Sequence, residues 1–296
     1  MKSVVQQYPS VTGTNNLQDV LRDGDVKAVV LATPVSTHAE LGRTVLKAGK
    51  SVLVEKPLAT SRAEAQELVE LASERGLLAM AGHIMLYSPA VQLAKALIEE
   101  GAIGTILYAQ SSRVNLGIHQ SDVSVVWDLA PHDLSILFDW IAEIPEWVSA
   151  HGRSSHGVGP ADVAFLDIGF PSGCIANVHL SWLAPTKMRR TTVVGSRRML
   201  VFEDMNHEEP IKIYDKGVEL PEPQDFGQFR ATYRAGDVMS PRVETTEPLR
   251  AEIDDFLARV QRREVPDHRE ETAVSIVATA EAVQRFFEEG GQVIHL

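Results

Sequence analysis

Apolar positions along this chain change their rhythm near residue 104. Before it, the short apolar runs Val26–Leu31, Ser51–Val54 and Leu77–Ala81 have the pattern of parallel strands covered on both faces. Segments of helical period separate them. Leu41, Val45 and Leu46 form one apolar stripe closed by Gly49. Ser61-Arg62-Ala63-Glu64 is a capping box ahead of Ala65, Leu68, Val69 and Ala72, with Gly76 just past the end. Ser88-Pro89 opens a third helix by a cap and a first-turn proline, and Gly101 stops it. Upstream, residues 4–8 read as the last turns of a helix and 17–22 as a short helix closed by Gly24. Strand, helix and strand in this order make a right-handed parallel unit.

From Thr105 the texture becomes that of strands and short turns. Strands are expected over 106–114, 147–153, 163–170, 174–183, 188–194, 199–203 and 211–214, with hairpin loops at Pro171-Ser172-Gly173 and Gly195-Ser196-Arg197-Arg198. A single helix, about 129–141, interrupts them. Residues 215–247 are polar and read as a long connection. Leu249, Ile253, Phe256, Leu257 and Val260 then form a helical stripe, a second helix runs over about 271–289 to Gly290-Gly291, and Val293 to Leu296 can add a last strand. The expected fold is α/β. An incomplete Rossmann-type parallel sheet fills residues 1–103, and an α+β domain with a large, mostly antiparallel sheet fills residues 104–296.

Composition narrows the function classes. Hydrophobic residues at 44% and charged residues at 23% are ordinary globular proportions. A formal charge of -12 speaks against nucleic acid or an anionic membrane surface as partner. No apolar run approaches the roughly 18 residues of a membrane span, and the N-terminus has no signal-peptide core. Cys174, the single cysteine, reads as a buried thiol, and the expected compartment is the cytoplasm. No Cys pair or short-spaced His and carboxylate set suggests a metal.

Candidate chemistry gathers at strand ends. Glu55-Lys56-Pro57 stops the Ser51–Val54 strand, and in open α/β sheets ligands bind beyond the carboxyl ends of strands. Lys56 is therefore either placed for chemistry or the first solvated residue after a strand. Thr33, Pro34 and His38 follow one strand and His83 follows another. Pro131 suggests a helix starting near Leu129 with Asp128 as cap. Asp128 and His132 then share a helix face as a carboxylate beside an imidazole: a proton-transfer pair, or merely a cap and a packed ring. Arg113, Asn115 and His119 precede this helix and are candidates to meet a polar substrate.

Taken together, Ala32-Thr33-Pro34 with His38, Glu55-Lys56-Pro57, and Asp128 with His132 resemble the glucose-fructose oxidoreductase and inositol dehydrogenase family, Gfo/Idh/MocA, over essentially the whole chain. The resemblance implies an oxidoreductase that moves a hydride between NAD or NADP and a hydroxyl or keto carbon of a sugar or nucleotide sugar. In it Lys56 polarises the reacting hydroxyl, His132 is the acid/base and Asp128 binds substrate. Thr33, Pro34, His38, Glu55, Lys56 and His83 would line the nicotinamide and ribose end of the cofactor, and Arg113 and Asn115 the substrate. Gly82-His83 to Pro89, Asn115-Leu116-Gly117 and Trp127 to Asp133 resemble a branch typified by UDP-N-acetylglucosamine 3-dehydrogenase. The family also implies a homo-oligomer, dimer or tetramer, built on the antiparallel sheet.

One departure stands out: no Gly-x-Gly-x-x-Gly occurs. That motif opens a unit of about 30 residues whose helix N-terminus holds the cofactor pyrophosphate. The chain reads as truncated by one βαβ unit, and weak binding of NAD or NADP is expected. The alternative function is a non-catalytic, oligomeric scaffold.

Overall fold

The computed structural model describes residues 2–117, 123–155, 157, 159–219, 232–289 and 294–296. His119, Gly290, Gly291 and Val293 lie outside the described residues. The first part of the chain runs α1 (Lys2–Gln7), α2 (Leu17–Arg22), β1 (Ala28–Leu31), α3 (His38–Lys47), β2 (Ser51–Glu55), α4 (Arg62–Glu74), β3 (Ala79–Gly82) and α5 (Pro89–Glu99). The three strands form one parallel sheet in the order β1-β2-β3, Val29 facing Val52 and Val52 facing Ala79. The central strand is buried on both faces. Val52 and Val54 pack with side chains of α3 and α4, and Leu53 packs with Leu78, Met80 and Phe256 from the opposite side. The capping box forms as expected, Ser61 Oγ accepting the Glu64 N–H at 3.2 Å.

The second sheet contains β4 (Ile106–Leu116), β5 (Trp147–Arg153), β6 (Val163–Gly169), β7 (Ile175–Ser181), β8 (Leu183–Gly195), β9 (Met199–Glu203), β10 (Ile211–Glu219), β11 (Thr232–Met239) and β12 (Ile294–His295). Their order is β11-β10-β9-β8-β4-β7-β6-β5-β12. Among the described residues of this sheet only β4 and β7 pair in parallel. Helices α6 (Val125–Ile141) and α8 (His268–Glu289) pack on its inner face, where Leu134, Leu137, Ile276 and Val283 meet Val148, Leu166, Val178 and Leu180 in one core. Helix α7 (Pro248–Gln261) sends Phe256 back to the parallel sheet. Ala273, Val274 and Val277 of α8 do the same from the other side.

Three expectations are corrected. Helix α6 starts at Val125 with Ser124 in the cap position, so Asp128 lies in its first turn and Pro131 lies inside it. Pro131 cannot donate to the Trp127 carbonyl, a loss of about 3 kcal/mol. Complete burial of Val125 and Val126, at roughly 1.5–3 kcal/mol each, offsets it. The strands expected over 174–183 and 188–194 instead divide at Trp182, and β8 is one strand of 13 residues. Finally, β11 occupies part of the stretch expected as a connection. It is an edge strand, with a neighbour on one side only, so no apolar alternation is required of it.

Candidate active site at the ends of the parallel strands

Lys56 follows directly on β2, and its peptide bond to Pro57 is cis. Its ammonium reaches α6, donating to the Asp128 carbonyl at 2.9 Å and lying 3.5 Å from Asp128 Oδ1. Two residues 72 positions apart thus meet across the boundary between the two sheets. Asp128 Oδ2 accepts from Trp182 Nε1 at 3.2 Å. That indole is held in place by the backbone of Gly117, where any Cβ would run into the ring.

His132 lies one turn further along α6. Burial first, then the charges of Arg113 and Lys56 and the His83 ring, push its pKa well below the usual imidazole value. His83, directly after β3, is 6% exposed, and its Nε2 has no hydrogen-bond partner. Burial and the nearby Lys56 charge push its pKa down to about 4. Both rings are therefore neutral at neutral pH, with burial and the surrounding positive charge opposing their protonation.

Arg113, expected to meet substrate, is buried on β4 and bonded to α6. Its Nε donates to Asp133 Oδ2 at 2.6 Å, and both side chains are almost wholly buried. Ser111 Oγ donates to the other Asp133 oxygen at 2.7 Å and sits 3.0 Å from Thr191 Oγ1. This network fixes β4 beneath α6 and thereby the turn that carries His132. Sequence reading missed Asp133. The signal was available in the parity of Ser111 and Arg113, which places both on the inner face of β4 where a buried cation needs a carboxylate. Asn115 continues that alternation and is half-buried.

The loops after β1 and β2 are tied together by His38. Its ring is buried, Nδ1 lying 2.8 Å from the Pro57 carbonyl and Nε2 2.9 Å from the Thr33 carbonyl. Thr37 Oγ1 donates to Thr33 Oγ1 at 2.8 Å, while Thr33, Pro34 and Glu55 are exposed. Across from Glu55, Glu252 of α7 is buried with Oε1 unpartnered, and burial together with the Glu55 charge pushes its pKa up to about 7. A cavity of about 550 Å³ opens beside Pro34, Pro57 and Trp127. The hydroxyls of Ser36 and Thr60 beside a cavity beyond parallel strand ends fit a nicotinamide riboside, while His83 lines a separate cavity of about 400 Å³. Among the described residues no set of three or more His, Cys, Asp or Glu could hold a metal, and no helix is long and apolar enough to cross a membrane.

Residues 2–83 match the family model described as "Oxidoreductase family, NAD-binding Rossmann fold". Residues 91–201 match the model of the "GFO/IDH/MocA C-terminal domain". The chain belongs to the Gfo/Idh/MocA oxidoreductase family. It is 27% identical over 219 residues to scyllo-inositol 2-dehydrogenase (NAD(+)) of Bacillus subtilis, covering 70% of this chain and 64% of that protein. It is 34% identical over 170 residues to 2,7-anhydro-N-acetylneuraminate hydratase of Escherichia coli, covering 52% and 45%. The chain thus spans less than two thirds of the length of these relatives. Among solved structures, UDP-N-acetylglucosamine 3-dehydrogenase GnnA from Acidithiobacillus ferrooxidans superposes with a TM-score of 0.77 at 25% identity, covering 96% of this chain and 85% of that one. The mixed α/β architecture, a small parallel sheet followed by a larger and mostly antiparallel one, is shared with these neighbours.

Proposed function

We propose that this chain is an NAD(P)-dependent oxidoreductase that interconverts a secondary alcohol and a ketone on a sugar or nucleotide sugar. One observation carries the reading. Lys56, from the end of a Rossmann strand, meets Asp128, from the first turn of α6, at 3.5 Å, with His132 one turn away.

In the oxidising direction Lys56 Nζ donates to the reacting hydroxyl and stabilises the negative charge that grows on its oxygen. His132, held neutral by burial and by neighbouring positive charge, takes the hydroxyl proton and becomes an imidazolium. The carbon loses its hydrogen with two electrons and becomes a carbonyl. A bound nicotinamide supplies the acceptor for that hydride. Asp128 orients Lys56, and its second oxygen, which accepts from Trp182, has a further lone pair for a substrate hydroxyl. Thr33, Pro34, Glu55 and His83 line the nicotinamide and ribose end, with His38 fixing the loops behind them. Asn115, on the inner face of β4, faces the substrate, and Arg113 supports it through Asp133.

We place the boundary between the cofactor and substrate domains at Gly104. The outer face of the large sheet supports a homo-oligomer. Tyr108, opposite Ile175 in register, and Phe165, stacked on His179 at 4.4 Å, leave apolar surface exposed there, and a twofold partner is a common way to cover such a patch. The test of function is absorbance at 340 nm with NAD⁺ or NADP⁺ and a panel of cyclitols, sugars and nucleotide sugars. Reduction with at least one of them is expected, and a flat baseline throughout, in a folded preparation, rejects the reading.

A further inference from the structure

The cavity of about 400 Å³ that His83 lines shares no residue with the one beside Trp127. Its apolar lining comes from Leu86, after β3, and from Phe138, Ala142 and Ile144 around the C-terminal end of α6. The charges around it do not balance. Lys95 is closed onto Asp139 at 2.6 Å, and Arg269 onto Asp267 at 2.9 Å. Glu99 is left 3.9 Å from Lys95, and Glu271, exposed at the start of α8, has no ion pair among the described residues. Glu143 Oε2 accepts the Ser172 N–H at 3.0 Å, with no cation beside it among the described residues.

The two helix ends at the cavity differ in the same sense. Helix α6 ends there with Ala142 in the left-handed conformation, and its last carbonyls add partial negative charge. Helix α8 begins there, but its own carboxylates answer its first N–H groups. Asp267 Oδ1 accepts the Arg269 N–H at 2.8 Å, and Glu270 Oε2 accepts the Asp267 N–H at 2.8 Å. His83 adds a demand of its own. Its side chain is 6% exposed and Nε2 is unpartnered, and in the tautomer protonated on Nδ1 that nitrogen offers a lone pair which only a donor satisfies.

We propose that this cavity binds a small organic cation, an amine whose apolar body packs on Leu86, Phe138 and Ile144 and whose ammonium is drawn by Glu271, Glu143 and the end of α6. An ammonium carries donors and no acceptor, whereas a carboxylate or phosphate is the reverse and meets neither the His83 lone pair nor the surrounding charge. The field of a chain of formal charge -12 concentrates cations at such a mouth. A volume of about 400 Å³ is within the range of pockets that enclose a small ligand. The site goes beyond the oxidoreductase reading and does not depend on it.

Calorimetric titration of the full chain with 2-phenylethylamine tests this, with 2-phenylethanol and phenylacetate as neutral and anionic controls of the same body. The amine should bind at least tenfold more tightly than either control, with an affinity that falls as salt rises. Glu271→Gln should weaken the amine at least fivefold and leave the alcohol unchanged. Thr272→Leu fills the cavity from α8 and removes only a bond from the Thr272 hydroxyl to the His268 carbonyl; it should weaken the amine at least tenfold. An amine that binds no better than the alcohol or the acid, or that is indifferent to Glu271→Gln, overturns the proposal. Undiminished binding to Thr272→Leu places the amine elsewhere and overturns it equally. These titrations contain no dinucleotide and no sugar, so their outcome is separate from that of the assay at 340 nm.

Discussion

Two clusters of charge in this molecule are built on opposite terms. At the junction of α7 and α8, Arg259 is 1% exposed and its bonds are saturated. Its two terminal nitrogens grip the carboxylate of Glu270 at 2.7 and 3.0 Å, and its Nε holds Glu264 at 3.0 Å. Asp267 is shared with Arg269. At the ends of the parallel strands the same kinds of group are left incomplete. Lys56 stands 3.5 Å from the carboxylate it faces, and His83 Nε2 and Glu252 Oε1 are buried with no partner. A saturated buried cluster holds its elements in one arrangement, and taking away one member exposes the others to the full desolvation penalty. An unsaturated one is a standing cost that folding alone gives no reason to keep. In the proposed function, a ligand would complete the bonding of the second cluster.

That contrast can be broken at graded points. The largest effect is expected from Arg259→Met, which strands Glu270 and Glu264: about 3–5 kcal/mol of stability should be lost, read as a fall of about 10 °C in Tm. The next concerns acid. The folded-state pKa of His83 is about 4 against an ordinary 6.5, so the unfolded chain binds the extra proton first as pH falls. Stability from this group is present above pH 6.5 and is lost as pH drops towards 4, a total of order 3 kcal/mol. Denaturant melts of His83→Asn at pH 7 and pH 4.5 should show a shallower acid limb than wild type, and identical limbs would contradict the assignment. The smallest is a gain. Glu252 has its pKa raised to about 7, so its contribution is lost as pH rises from about 4.5 through 7. Glu252→Gln should therefore stabilise the protein at pH 8 by about 2 kcal/mol and leave it little changed at pH 4.

The parallel sheet was legible because covered strands impose a continuous apolar run. Ser51 to Val54 has no solvent face, so the sequence has no freedom there. The Ser61 cap and the hairpin loops at Pro171 and Gly195 were legible for a related reason, since local bonding alone specifies them. Strand β11 was not legible, because an edge strand accepts polar residues on both faces. The start of α6 was not legible either. Proline chemistry points to Leu129, and only the tertiary burial of Val125 and Val126 extends the helix back past it. In the candidate site, Lys56 and Asp128 could be named from their motifs; the parity of Ser111 and Arg113 marks an inner face that needs a carboxylate, but which carboxylate answers it depends on a sheet laid under a helix.

The central claim is that the unsaturated cluster is kept for chemistry and the saturated one for structure. Turnover and Tm measured side by side for Lys56→Met test it most directly. Loss of the polarising ammonium should reduce kcat by about 10²–10³-fold while Tm stays within about 2 °C of wild type, because the ammonium holds one hydrogen bond, to the Asp128 carbonyl, and a long contact to its carboxylate. Retained turnover, or a collapse in Tm comparable to that of Arg259→Met, would contradict the account.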